Sequence, residues 1–202
     1  MRTLVPSREE ILHMLTQTGA LRQGHFQLPT GIHTDHFFQM PLAMRYYNYV
    51  RRLGVALSRL LRAIPQVSRA LPRCTVIAPA SGGIPVAFSV RDALEAEQVA
   101  WAEKRNGDLY FRPFTAVHPG DVCILVDDII LTAKTMQRLI ELVREHGGRI
   151  IAAGVLVDPG IRPFDPGDIP FVRLIEFKTR SFLSAEECEL CRAGEPVVKV
   201  TF

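Results

Sequence analysis

The chain has 202 residues, of which 48% are hydrophobic and 22% charged, the composition of an ordinary soluble globular protein with one sizeable core. A formal net charge of +3 is too mild to argue for nucleic acid, and is compatible with an anionic small-molecule substrate. Residues 1–10 are polar and no apolar run approaches the length of a membrane span, so neither a signal peptide nor a transmembrane helix is expected, and a cytoplasmic location is.

Ser7 and Glu10 have capping-box spacing; Ile11, Leu12, Met14 and Leu15 follow on one helical face, and Gly19 closes the helix. Residues 24–40, GHFQLPTGIHTDHFFQM, interleave Gly, Pro and Thr turn signals with short aromatic runs and predict short strands and turns. Residues 46–63 predict a helix that buries Val50, Leu53, Leu57, Leu60 and Leu61. Arg51, Arg52, Arg59 and Arg62 recur at helical spacing there and read as a solvated face or a dimer rim, so no nucleic-acid partner is expected.

From here strands and helices alternate. CTVIAPA (residues 74–80) predicts a buried strand, residues 83–96 a helix and QVAWAE (98–103) another strand. A polar turn at 104–108, a hairpin strand around 109–114 and the HPGD turn at 118–121 lead into VCILVDD (122–128), the most apolar strand. Residues 132–146 predict a helix with Thr135, Met136, Leu139, Ile140 and Val143 on one face and Gly147 at its end. IIAAGVLV (150–157) and FVRLIEF (171–177) complete the set. Nearly continuous apolar strands separated by helices imply an α/β fold, a parallel sheet core flanked by helices on both faces. In such a sheet, ligands sit beyond the carboxyl ends of the strands.

The four cysteines divide into two pairs. Cys74 and Cys123 lie inside apolar runs and read as small buried hydrophobes. Cys188 and Cys191 form a C-x-x-C, but a structural zinc site wants four ligands and no second Cys or His pair lies nearby in sequence. Two thiols in a loop is the favoured reading.

Two strand ends carry chemistry. In IAPASGGIPVA (77–87) a strand runs through Ser81, Gly82 and Gly83 into a helix, and the glycines allow amides to converge on an anion. At the second, Asp127 and Asp128 end an apolar strand and a helix follows. Carboxylates there accept hydrogen bonds from a sugar diol while loop amides take a phosphate, and a hard divalent cation also fits.

VDDIILTAKT (126–135) resembles the phosphoribosyl-diphosphate signature of type I phosphoribosyltransferases, and the whole chain resembles the orotate phosphoribosyltransferases in colinear order. TGALRQGHFQLPTGIHTDHFF (18–38) is similar to that family's N-terminal hood, IAPASGGIPVA to its pyrophosphate loop, AEKRNGDLYFRPF (102–114) to its mobile-loop region, and CELCRAGEP (188–196) to a C-terminal segment of some members. The resemblance implies one phosphoribosyltransferase-like domain over residues 1–202, with 1–45 and 178–202 contributing hood and cap, and a homodimer. It implies transfer of ribose 5-phosphate from phosphoribosyl diphosphate to a small base, orotate first, with magnesium held through the ligand's oxygens and no direct protein ligation. Asp127 and Asp128 would hold the ribose hydroxyls, and residues 131–135 (Leu131, Thr132, Ala133, Lys134 and Thr135) the 5-phosphate. Ser81, Gly82, Gly83 and Lys104 would take pyrophosphate and magnesium, and Phe37 and Phe38 would present backbone groups to the base.

The chain departs from the family pattern at three places. Leu131-Thr132-Ala133 stands where Thr-Thr-Gly or Thr-Ala-Gly is usual, Pro29 where a cation is, and Pro159 where an orotate-contacting arginine is; Arg162 is the nearest substitute. Two readings therefore stand: an active enzyme, favoured by Asp127, Asp128 and Lys104, or a ligand-binding paralogue without turnover, favoured by Leu131, Ala133, Pro29 and Pro159.

Overall fold

The computed structural model describes residues 5–201; the first four residues of the polar opening segment lie outside the described residues. Helix α1 (Arg8–Gln17) begins on the expected capping box, the Ser7 amide donating to the Glu10 carboxylate at 2.8 Å and the Ser7 hydroxyl accepting from the Glu10 amide. The turn-rich segment forms β1 (Leu21–Gln27) and β2 (His33–Phe38), an antiparallel hairpin. Three helices follow, α2 (Pro41–Met44), α3 (Tyr47–Arg62) and α4 (Pro65–Ala70), the first and last opened by a proline where a missing N–H costs nothing.

On α3 the buried face is narrower than the apolar spacing predicts. Leu53, Leu57 and Leu61 are fully buried, each contributing roughly 1.5–3 kcal/mol, but Leu60 is 36% exposed. Small residues complete the face instead: Gly54 lies against Ser89, where a methyl group would collide with the serine side chain. Of the arginines at helical spacing, Arg52 pairs with Glu10 at 3.1 Å, and Arg62 donates to the Leu94 carbonyl at 3.0 Å.

Next come β3 (Thr75–Pro79), α5 (Gly83–Leu94), β4 (Gln98–Arg105), β5 (Asp108–Tyr110), β6 (Val122–Ile129), α6 (Lys134–Glu145), β7 (Arg149–Asp158) and β8 (Phe171–Glu176). They build a six-stranded sheet in the order β5-β4-β3-β6-β7-β8. All neighbours are parallel except β4 and β5, a hairpin turned by Asn106 and Gly107, both at positive φ as a tight two-residue turn requires. Strand β5 is shorter than the hairpin strand predicted around residues 109–114.

The parallel strands are buried on both sides, as their continuous apolar runs require. Val76, Ala78, Ile124 and Val126 face a core shared with α3 and α5, while Ile77, Leu125 and Cys123 face Met136, Leu139, Ile140 and Val143 of α6. Thr135 does not join that face; it is exposed, and Leu142 is buried instead. Cys74 and Cys123 are core residues, and burial pushes their thiols up to about 11 and about 12.

The chain ends with β9 (Ser181–Phe182), α7 (Glu189–Arg192) and β10 (Val198–Lys199). These late strands join the early hairpin in a second sheet, ordered β10-β1-β2-β9, over a small core of Phe26, Leu28, Ile32, Phe37 and Val200. This sheet is the hood. Among the described residues no helix is long and apolar enough to cross a membrane.

Candidate active site

Strands β3 and β6 are neighbours with Ile77 opposite Leu125, so the turn leaving β3 and the carboxylates ending β6 emerge side by side. Between them and the hood lies a cleft of about 520 Å³. Pro79, Ala80, Ser81, Gly82, Lys104, Asp127 and Asp128 line its floor and side, residues 129–133 with Thr135 and Met136 one end, and Leu28, Pro29, Thr30, Phe38, Gln39, Met40 and Pro41 the hood side.

The two glycines after Ser81 are explained by the acidic pair. A methyl group on Gly82 would lie 2.9 Å from Cγ of Asp128 and closer still to its Oδ2; one on Gly83 would lie 2.9 Å from Oδ1 of Asp127. The loop and the strand end interlock, and only glycine leaves room for both carboxylates. The Ala80–Ser81 peptide is cis.

Asp127 and Asp128 are each 7% exposed. Asp127 Oδ1 accepts a hydrogen bond from the Asp128 amide at 2.8 Å. Burial holds Asp127 well above the usual carboxylate range, with the charge of Asp128 adding to it, and burial raises Asp128 as well. Ligand hydroxyls, or a cation, would favour the ionised forms that the protein alone disfavours. An oxygen-only donor set suits a hard cation such as magnesium.

Beyond Asp128 the chain turns through Leu131, Thr132 and Ala133 into α6. Ala133 has φ +63, the left-handed conformation, at a cost of roughly 1–2 kcal/mol for a residue with a side chain. The backbone thus keeps the path that a glycine would take, and the amides at the start of α6 remain at the end of the cleft.

Not every predicted site residue reaches the cleft. Phe38, Ser81, Gly82, Lys104, Asp127, Asp128, Leu131, Thr132, Ala133 and Thr135 line it. Phe37, adjacent to Phe38 on a strand, points to the opposite face and is buried against Phe26 in the hood core. Gly83 is buried beneath Asp127 as the first residue of α5. Lys134 borders an adjoining cleft of about 400 Å³ with Gln137, Arg138 and Phe164, which meets the first at Thr132 and Ala133. Arg162 is exposed in the turn after β7 and is not among the lining residues, and the Pro159 carbonyl accepts from the Thr179 amide at 3.1 Å. Sequence reasoning missed Thr30, Gln39 and Met40 on the hood side, because a lone hydroxyl, amide or apolar lining residue carries no chemical signature; the turn signals at Pro29 and Pro41 were the available hint.

Known proteins share the sequence and the fold. Residues 62–187 match the phosphoribosyl transferase domain family. The chain is 31% identical to the orotate phosphoribosyltransferase of Heliobacterium modesticaldum, over 96% of this chain and 97% of that one. It is 34% identical to that of Pelotomaculum thermopropionicum, over 96% of each chain. In fold, it superposes on Aeropyrum pernix orotate phosphoribosyltransferase with a TM-score of 0.63 and 21% identity, covering 82% of this chain and 93% of that one. On the Mycobacterium tuberculosis H37Rv enzyme in complex with inorganic phosphate the TM-score is 0.62 at 16% identity, covering 84% of this chain and 95% of that one. The chain belongs to the phosphoribosyltransferase family and, within it, to the orotate phosphoribosyltransferases.

Proposed function

We propose that the chain transfers ribose 5-phosphate from phosphoribosyl diphosphate to a ring nitrogen of orotate, forming the glycosidic C–N bond as the C–O bond to pyrophosphate breaks. The observation that carries this reading is the interlock of the Ser81–Gly82 turn with Asp127 and Asp128 inside one cleft, with the left-handed turn at Ala133 closing its end. In this reading the ionised acidic pair accepts hydrogen bonds from the ribose hydroxyls, the amides of residues 131–135 receive the 5-phosphate, and the turn at 80–82 receives pyrophosphate. Lys104, exposed at the edge of the cleft on β4, supplies positive charge to the departing pyrophosphate. The end of β2, at Phe38 and Gln39, presents backbone groups to the base.

Magnesium fits the oxygen donors of this cleft and, when bound, would neutralise charge on the diphosphate. Because the transition state has oxocarbenium character, the chain's own task is positioning and charge stabilisation rather than covalent chemistry. The left-handed backbone at Ala133 supports an active enzyme over a paralogue without turnover, since the loop path survives the loss of glycine. A cytoplasmic homodimer fits the same reading, and exposed Tyr47 and Phe88, on the packed pair α3 and α5, are suitable contact residues.

The test is a product assay with phosphoribosyl diphosphate, magnesium and a panel of bases. Orotate should be consumed with stoichiometric pyrophosphate release. Turnover of a different base in preference to orotate, or of none, would overturn the assignment.

A further inference from the structure

The C-x-x-C of Cys188 and Cys191 is not alone in space. Cys188 caps α7 and Cys191 lies within it, and both meet two histidines of the hood hairpin, His25 on β1 and His33 on β2. His25 Nε2 lies 2.9 Å from His33 Nδ1, 3.5 Å from Cys188 Sγ and 3.7 Å from Cys191 Sγ; Cys191 Sγ lies 3.4 Å from His33 Nδ1. All four ligand atoms fall within 4.8 Å of one another. A tetrahedron with metal–nitrogen bonds near 2.0–2.1 Å and metal–sulfur bonds near 2.3 Å has edges of roughly 3.3–3.8 Å, so small side-chain adjustments would seat an ion.

The tautomers point the same way. His25 Nδ1 lies 2.9 Å from the Glu195 carbonyl, which only accepts, so Nδ1 carries the proton and the Nε2 lone pair faces the cluster. This is the outer-shell arrangement that orients a metal-binding imidazole. His33 then has two neutral choices. With its proton on Nδ1, it donates to His25 and leaves Nε2 bare, a buried ring nitrogen that has no hydrogen-bond partner. With its proton on Nε2, two lone pairs face each other at 2.9 Å. A cation between the rings relieves the second arrangement.

We propose that His25, His33, Cys188 and Cys191 form a structural zinc site that fastens the C-terminal segment to the hood hairpin. Two thiolates and two imidazoles select zinc over magnesium or calcium. His25, His33 and Cys188 are buried and all four positions are protein side chains, the pattern of a closed structural site rather than one open to substrate. The same strand β2 that brings His33 to the cluster ends at Phe38 in the active-site cleft, so the ion also steadies one wall of that cleft.

The test is zinc content and cobalt substitution on the whole protein, independent of turnover. Protein purified from zinc-supplemented growth and dialysed against metal-free buffer should retain one zinc per chain. Cobalt exchanged into it should give thiolate-to-metal charge transfer and the intense visible bands of a tetrahedral site. A strong chelator should lower the Tm. Combined Cys188→Ser and Cys191→Ser should reduce zinc to background, whereas Cys74→Ala should leave it unchanged. Substoichiometric zinc without the cobalt–thiolate band in the unaltered protein would overturn the proposal. So would undiminished zinc in the double variant, or a Cys188–Cys191 disulfide in protein prepared without oxygen. If the double variant fails to fold, the cobalt spectrum and the chelator response of the unaltered protein still decide.

Discussion

Replacing Gly82 by alanine isolates the interlock between the glycine turn and the acidic pair. Gly82 has φ −64 and ψ −35, a helical conformation that alanine adopts without strain, so backbone preference predicts a slightly more stable protein. Packing predicts the reverse. The added methyl group would lie 2.9 Å from Cγ of Asp128, against an ordinary contact of 3.4 Å or more, and its carboxylate oxygen is nearer still. The carboxylate must withdraw by at least half an ångström, into a region where it is already buried. Overpacking of this kind costs about 1–3 kcal/mol, and a misplacement approaching 1 Å costs about 100-fold in rate. Gly82→Ala should therefore lower kcat/KM by about 10- to 100-fold and weaken thermal protection by phosphoribosyl diphosphate, with only a modest fall in the Tm of the free protein. Steady-state kinetics and ligand-dependent melting measure both. A variant that is more stable and turns over normally would refute the interlock.

Ala133→Gly removes roughly 1–2 kcal/mol of left-handed strain but adds about 0.4–1 kcal/mol of chain entropy to the unfolded state, so a net gain of about 0.5 kcal/mol, or 1–2 °C in Tm, is expected. Destabilisation in a denaturant titration would show that the loop is not strained there. Asp127→Asn addresses the buried acid. A carboxylate raised by folding contributes stability that is fully present below its unfolded pKa, near 3.9, and lost as pH rises through the folded value. The variant should be more stable than the parent at pH 7, the difference shrinking towards pH 4, while losing protection by a ribose-phosphate ligand. Parallel pH series of unfolding curves test this, and a variant less stable at pH 7 than at pH 4 relative to the parent would contradict it.

Much of the fold was legible because its signals are local. The capping box at Ser7 and Glu10, the apolar runs of β3, β6 and β7, and the Asn106-Gly107 turn each carry their instruction within a few residues. Errors arose where a neighbour far along the chain decides. Leu60 has the right spacing for burial yet is 36% exposed, while Gly54, packed against Ser89 of α5, is buried. Thr135, in the first turn of α6, is exposed at the cleft, while Leu142 is buried. At the site, Asp127 and Asp128 were visible as charge at the end of an apolar strand, and Ser81 and Gly82 as a turn. Strand periodicity accounts for the Phe38 side chain reaching the cleft and that of Phe37 the hood core, while the expectation for both concerned their backbone groups. The partners of Cys188 and Cys191 were hidden by distance: His25 lies 163 positions from Cys188, and neither histidine belongs to a recognisable ligand pair.

The hood's construction also sets an order of events during synthesis. Its central hairpin is made early, but β9 and β10, which pair with β2 and β1, come from residues 181–199. Asp35 and the Arg180 amide that bonds to it are 145 positions apart, a separation that takes on the order of ten seconds to translate. Throughout that interval both outer edges of the hairpin lack their strands, and unpaired edges invite pairing with other chains. The hood residues that line the cleft, from Leu28 to Pro41, are made early, so a ribosome-bound fragment that completes the large sheet carries every lining residue while its hood hairpin still lacks both flanking strands.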